Sequence, residues 1–183
     1  MTKWMLLVAV MPLLFSCASM PAPEGPDDSL VIGYFALDFP EGFFEQSKRT
    51  FTSGVTLNIK NETTGGRFRL TTSKGYFQFL SNGSDSYLIE EYSFQERDQS
   101  GRYGVKGEVN RKFSTRTHSV VYLGHLTVVY TKPKATHKTS ADLKSNYWAF
   151  KTSDDFKYNE GELLSYLRDK DPECPWLEYE VVH

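Results

Sequence analysis

From position 55 to position 94, apolar and polar residues take turns, and turn-forming residues interrupt the alternation at regular intervals. Val55, Leu57 and Ile59 alternate with Thr56, Asn58 and Lys60, and Asn61 to Gly66 is a turn rich in Gly and Thr. Phe68 and Leu70 then alternate with Arg67, Arg69 and Thr71, and Ser73-Lys74-Gly75 turns the chain again. Phe77 and Phe79 alternate with Tyr76 and Gln78; Ser81 to Asp85 is a third turn, and Ser86 to Phe94 follows as a longer run. Successive side chains of a strand point to opposite faces, so a period of two gathers the apolar residues on one inner face and leaves Arg and Thr outside. Short strands broken by turns at roughly eight- to twelve-residue spacing mark an antiparallel sandwich or barrel.

The flanking sequence extends the pattern. Leu30 to Leu37 is nearly all apolar, as in a strand buried on both faces. Asp38 to Ser53 is a longer excursion through Pro40 and Gly42, pinned by Phe43 and Phe44. Tyr103 to Phe113 reads as a strand pair or an irregular edge. Val120–Leu123 and Leu126–Tyr130 flank Gly124, the mark of a bulge or bend. Lys132 to Thr139 is a polar loop, Tyr147 to Phe150 a late strand and Trp176 to Val182 a final one. One helix is expected: Asn159 caps it, Glu162 holds the third helical position, Leu163, Leu164 and Leu167 share a face, and Asp171-Pro172 stops it. Aromatic residues make up 15% of the chain, a bias that favours strands. The expectation is a mainly β, antiparallel β-sandwich with one short C-terminal α-helix, a single domain over residues 30–183.

The N-terminus is built differently. Lys3 precedes an apolar stretch, Trp4 to Phe15, broken only by Pro12. A helix needs about 20 apolar residues to span a bilayer core, so this run is too short and fits a signal peptide over residues 1–16. Leu14-Phe15-Ser16-Cys17 resembles the lipobox of bacterial lipoproteins. That resemblance implies cleavage before Cys17, diacylglycerol on its sulfur and attachment to membrane lipid at the bacterial cell envelope. Ala18 follows the Cys, which by the same resemblance favours the outer membrane where a cell has two. Ala18 to Ser29, with three Pro, one Gly and two Asp, is expected to have nothing to pack. Cys17 and this segment, residues 17–29, then form a lipidated, flexible tether of about 35–40 Å at full extension.

Composition excludes some classes. Loss of residues 1–16 removes Lys3 and no acid, moving the formal charge from −2 to −3, a balance that argues against nucleic acid as a partner. Five basic residues against Glu108 lie between Arg102 and Arg116, and nine acidic against three basic between Asp154 and Glu180. Both read as solvated faces. Only Cys174 remains beside Cys17, so a lipidated Cys17 leaves no intramolecular disulfide. Cys174 reads first as a buried small hydrophobe, with a free thiol or an intermolecular disulfide as the alternatives.

Gly54-Val-Thr-Leu-Asn-Ile-Lys-Asn-Glu-Thr-Thr-Gly-Gly, Thr72-Ser-Lys-Gly-Tyr-Phe-Gln-Phe and Tyr87-Leu-Ile together resemble the carboxypeptidase regulatory-like, or transthyretin-like, β-sandwich. Tyr122-Leu123-Gly124-His125-Leu126 is similar to a strand of some envelope lipoproteins of that type. The resemblance covers about residues 30–130 and implies a scaffold with many uses, so it names a fold and no activity. The hydrolases of that superfamily carry a His/Arg set and a Tyr-Arg-Gly-Ser end that have no counterpart here.

No catalytic motif stands out. His118, His125, His137 and His183 lack the short fixed spacing of a zinc site. Glu90 and Glu91 are adjacent on a strand and should face opposite ways, which disqualifies them as a glycosidase pair. Asp154-Asp155 lacks the alternating oxygen ligands of a calcium loop. There is no Gly-rich phosphate loop and no nucleophile elbow. Tyr76, Tyr87, Tyr92, Tyr103, Tyr147 and Trp148 are the pool for a ligand-binding face. The expectation is a non-enzymatic, membrane-anchored lipoprotein with no cofactor or metal, presenting its sandwich to an envelope protein or cell-wall polymer. The alternative is a small-ligand or carbohydrate-binding module. An enzyme would need His118 or His125 beside a carboxylate in a concave site.

Overall fold

A computed structural model describes residues 20–39, 49–98, 101–131, 149–152 and 159–183. Cys17 and the signal segment, Phe43, Phe44, the 132–139 loop, His137, Tyr147, Trp148 and Asp154-Asp155 lie outside the described residues.

Among the described residues, ten strands form two sheets. The first is organised around β1 (Asp28–Phe39) and β8 (Ser119–Thr131), which run parallel side by side. The other edge of β1 is shared by β5 (Tyr76–Asn82), which pairs with Asp28 to Tyr34, and β2 (Arg49–Phe51), which pairs with Leu37 to Phe39. The outer edge of β8 is shared by β10 (Glu180–Val182), parallel to Ser119–Val121, and β9 (Ala149–Thr152), antiparallel to Val128–Thr131. The second sheet is antiparallel throughout, in the order β4 (Arg67–Thr71), β3 (Thr56–Asn61), β6 (Ser86–Asp98) and β7 (Gly101–Ser114).

The expected β-sandwich with a short C-terminal helix is the observed fold, with one difference. The first sheet is mixed. The chain runs through the whole second sheet between β1 and β8, and that crossover brings β8 back in the same direction as β1.

β1 is buried on both faces because it separates two apolar layers. Val31, Phe35, Leu37 and Phe39 point between the sheets, where they meet Leu57, Ile59, Ile89, Tyr92 and Phe94 of the second sheet. Leu30 and Ile32 point the other way with Val120 and Tyr122 of β8, onto α1 (Glu160–Lys170) and a 3-10 turn at Pro175–Glu178. The molecule is therefore three-layered: second sheet, first sheet, helical cover.

α1 forms as the sequence predicts. The Asn159 side chain accepts the Glu162 N–H at 3.2 Å, and Glu160 and Glu162 in the first turn with Arg168 and Lys170 in the last complement the helix dipole. Leu163 and Leu167 are fully buried, at about 1.5–3 kcal/mol of stabilisation each, while Leu164 is half-buried. Asp171 closes the helix with its N–H on the Leu167 carbonyl.

Three expectations change. The final strand is only Glu180–Val182; Pro175, with no N–H to give a ladder, starts the 3-10 turn that occupies the first half of that segment. The strand predicted at Tyr147–Phe150 is described as Ala149–Thr152. Residues 20–29, assigned to a tether with nothing to pack, are docked. Met20 is buried in the helical-side core, the Trp176 indole N–H donates to the Pro21 carbonyl at 2.6 Å, and β1 begins at Asp28.

Candidate functional site

Two bulges decide which side chains reach the outer faces. In β8, Ile32 pairs with Tyr122 but Tyr34 pairs with His125, so β8 spends one extra residue at Gly124, whose φ is +71°. This is the bulge the sequence predicts at Gly124, and it re-aims the residues C-terminal to it. Val121 and Leu123 face the inter-sheet core, and so do Leu126, Val128 and Tyr130. Strict alternation would have placed His125 there as well. The extra residue turns it outward beside Tyr122.

His125 thus joins a row across three strands. Tyr34 is in register with both Tyr76 and His125. The Tyr34 and His125 rings stack at 4.4 Å, and the Tyr76 edge meets Tyr34 at 5.3 Å. α1 closes over this row. Tyr166 stacks on Tyr76 at 3.7 Å and its hydroxyl reaches Gln78 Oε1 at 3.4 Å. Glu162 Oε2 stands 3.5 Å from His125 Nε2, the distance of an ion-pair contact rather than a tight hydrogen bond. Gly75 makes the row possible. Its φ is +91°, and a Cβ there would lie 2.1 Å from the Tyr34 ring.

An open cleft of about 540 Å³ lies between β5 and α1, lined by Lys74, Tyr76, Glu162, Ser165, Tyr166, Asp169 and Lys170. His125 sits behind this lining with its side chain 22% exposed. Burial raises the phenol pKa of Tyr34 and Tyr76, with the Glu162 charge adding to it. Burial also pushes Tyr122 and Tyr166 up to about 12. All four phenols are therefore neutral hydrogen-bonding groups at ordinary pH. Two ammonium groups, two carboxylates and two ring edges can together hold a small polar ligand.

The second bulge is in β6, where Asn58 pairs with Glu91 and Ile59 with Ile89. Glu90 is the extra residue, so Glu90 and Glu91 both lie on the outer face. The expectation that they face opposite ways is corrected here: strand alternation fails at a bulge. Both line a shallow cleft of about 370 Å³ with Asn58, Arg67, Phe68 and Arg69. Glu90 is engaged by the Arg67 guanidinium in a two-pronged pair at 3.1 and 3.2 Å, which holds its carboxyl below the usual range. Glu91 accepts from the Asn58 amide at 3.4 Å.

The remaining candidates fall elsewhere. His118 is exposed, with its ring 4.3 Å from Tyr179. His183 lies near Tyr122, with ring centroids 6.2 Å apart. Among the described residues no three His, Cys, Asp or Glu side chains come together as a metal site. Tyr87 and Tyr92 are core residues, and Tyr92 shares a hydroxyl hydrogen bond with Tyr130. Cys174 is buried, and burial raises its thiol pKa. Sequence reasoning missed Tyr34, Glu162 and Tyr166 as one cluster. The available signal was the Gly124 bulge beside an outward Tyr on the neighbouring strand.

No family model matches the chain, and no curated protein or solved structure matches it. The fold itself defines the class: a mixed β-sandwich with a helical cover over one sheet.

Proposed function

We propose that the protein is a lipid-anchored lipoprotein of the bacterial envelope, non-enzymatic, and that its β body presents a surface to another envelope protein or to cell-wall polymer. The observation that carries this reading is Cys17 at the close of a short apolar run with one basic flank. Acyl chains on that sulfur add about 0.8 kcal/mol of membrane affinity per buried CH₂, so two or three chains anchor stably. The carboxypeptidase regulatory-like resemblance over residues 30–130 belongs to the same reading, as does export to an outer membrane through Ala18. Among the described residues no helix is long and apolar enough to cross a membrane.

Mass spectrometry of the mature N-terminus tests this directly. A diacylglycerol thioether on Cys17 and release of Cys17→Ser from the membrane fraction are the expected results. An unmodified Cys17 in a protein that still sediments with membranes refutes the reading.

The alternative, a small-ligand or carbohydrate-binding module, is favoured by one observation, the cleft between Tyr76, Tyr166, Lys74 and Lys170. A glycan array and a thermal-shift screen against cell-wall fragments test it. Hits should disappear in Lys74→Ala/Lys170→Ala, and a screen without hits removes this second reading.

A further inference from the structure

A linker lets a lipoprotein body stand off from its membrane only if it is not packed against that body, and here the segment assigned to that task is fastened at several points. Met20 is 6% exposed, in the core formed with Leu163, Leu167, Cys174 and Trp176. The Pro21 carbonyl accepts the Trp176 indole N–H at 2.6 Å. Asp28 Oδ2 accepts the Glu24 and Gly25 N–H groups at 2.6 and 2.7 Å. The Asp27 carbonyl accepts from Gly83 N at 3.1 Å, and the Asp28 carbonyl from His118 N at 3.2 Å. Ser29 donates to the Arg116 carbonyl. Hydrogen bonds and burial therefore tie the segment at successive points to α1, the 3-10 turn, β5 and β8.

We infer that residues 20–28 are a strap and not a linker, so that a lipid on Cys17 holds one end of the body against the headgroup layer of the bilayer. This rests on the lipid-anchored reading above. Between Cys17 and Met20 the chain spans at most about 11 Å, against about 35–40 Å for a free segment over residues 18–29.

The end brought to the bilayer is the one where β1 starts, with the 3-10 turn beside it. The opposite end carries Asp38, its partner Thr50 in β2, and the Asp98–Gly101 end of the β6–β7 hairpin. Leu30 to Asp38 along β1 separates the two ends by about 26 Å. The anchor must impose this contact, because charge opposes it. Glu178 and Glu180 are exposed at this end, with Glu180 paired to Arg116 at 3.5 Å, and an anionic lipid surface repels the acidic excess. The partner is thus the lipid headgroup layer, and the distal end is left to face any partner beyond the membrane.

The test uses the full mature lipoprotein in phosphatidylethanolamine/phosphatidylglycerol vesicles carrying a headgroup spin label. A fluorophore is attached at Glu178→Cys, exposed on the 3-10 turn, or at Thr50→Cys, exposed on β2. The parent protein, whose Cys174 is 3% exposed, is the labelling control. Severalfold stronger quenching at position 178 than at position 50 is expected. A twelve-residue Gly/Ser insert between Cys17 and Met20 should remove the difference, and the unlipidated chain should not bind the vesicles. Equal quenching at the two positions, or no effect of the insert, overturns the strap while leaving the lipid in place. An unmodified Cys17 by mass spectrometry instead overturns the anchored reading and this inference with it.

Discussion

Replacing Trp176 by Phe isolates the bond that ties the two ends of the described chain together. The indole is 1% exposed and donates from Nε1 to the Pro21 carbonyl at 2.6 Å. Phe keeps an aromatic ring against Tyr179, which Trp176 meets at 4.7 Å, but it has no donor. Pro21 is half-buried, so losing its donor costs about 0.5–1.5 kcal/mol net, and the atoms lost between indole and phenyl add about 1 kcal/mol of transfer and cavity cost. The expected loss is about 1.5–2.5 kcal/mol. For a domain of this size, about 2–4 °C of Tm accompanies each kcal/mol, so the melting point should fall by about 3–10 °C. Urea denaturation followed by far-UV circular dichroism measures the change, with the m-value held as a check on the compactness of both states. Hydrogen exchange supplies a local readout. The Glu24 and Gly25 amides, protected by Asp28 in the parent, should exchange faster in the variant if Pro21 lets go. A loss under about 0.5 kcal/mol with unchanged protection at both amides would refute the argument that this bond fastens the segment.

Gly75→Ala should destabilise more than Gly83→Ala in thermal melts. Both have φ above +90°, which costs about 1–2 kcal/mol with a Cβ present, but only Gly75 adds a collision with Tyr34, worth about 1–3 kcal/mol more; equal losses would contradict the close approach. Tyr122 and Tyr166 have folded pKa values of about 12 against 10.0 for the free phenol. The folded state keeps protons that the unfolded state releases, so this contribution is whole below pH 10 and is lost as pH rises through 12. Tyrosinate absorbance should therefore appear together with loss of circular dichroism, and smooth titration of all tyrosines in a folded protein would contradict the burial described.

Local features of the fold were legible. The period of two gave β3, β4 and β5, the unbroken apolar run gave β1 as a strand buried on both faces, and Asn159 with Leu163 and Leu167 gave α1. Features that depend on distant partners were not. Nothing in β8 says that it runs parallel to β1, because that direction is set by the path of the intervening chain through the second sheet. Pro21 carries no mark of an acceptor for Trp176. Gly124 announced its bulge, yet the consequence for His125 required the register with Tyr34. Glu90 lies at a bulge without Gly, so simple alternation gave the wrong answer there.

The bond from Trp176 to Pro21 spans 155 positions of sequence. A contact of that order forms only after most of the chain has found its place, and non-local pairings slow folding. Until Trp176 arrives, Met20 and the helix-facing side of β1 lack part of their cover, and apolar surface exposed in that way is prone to aggregate. Removal of the C-terminal helical cover by a protease would undo the first residues of the body as well as the last, so damage at one end would be felt at the other.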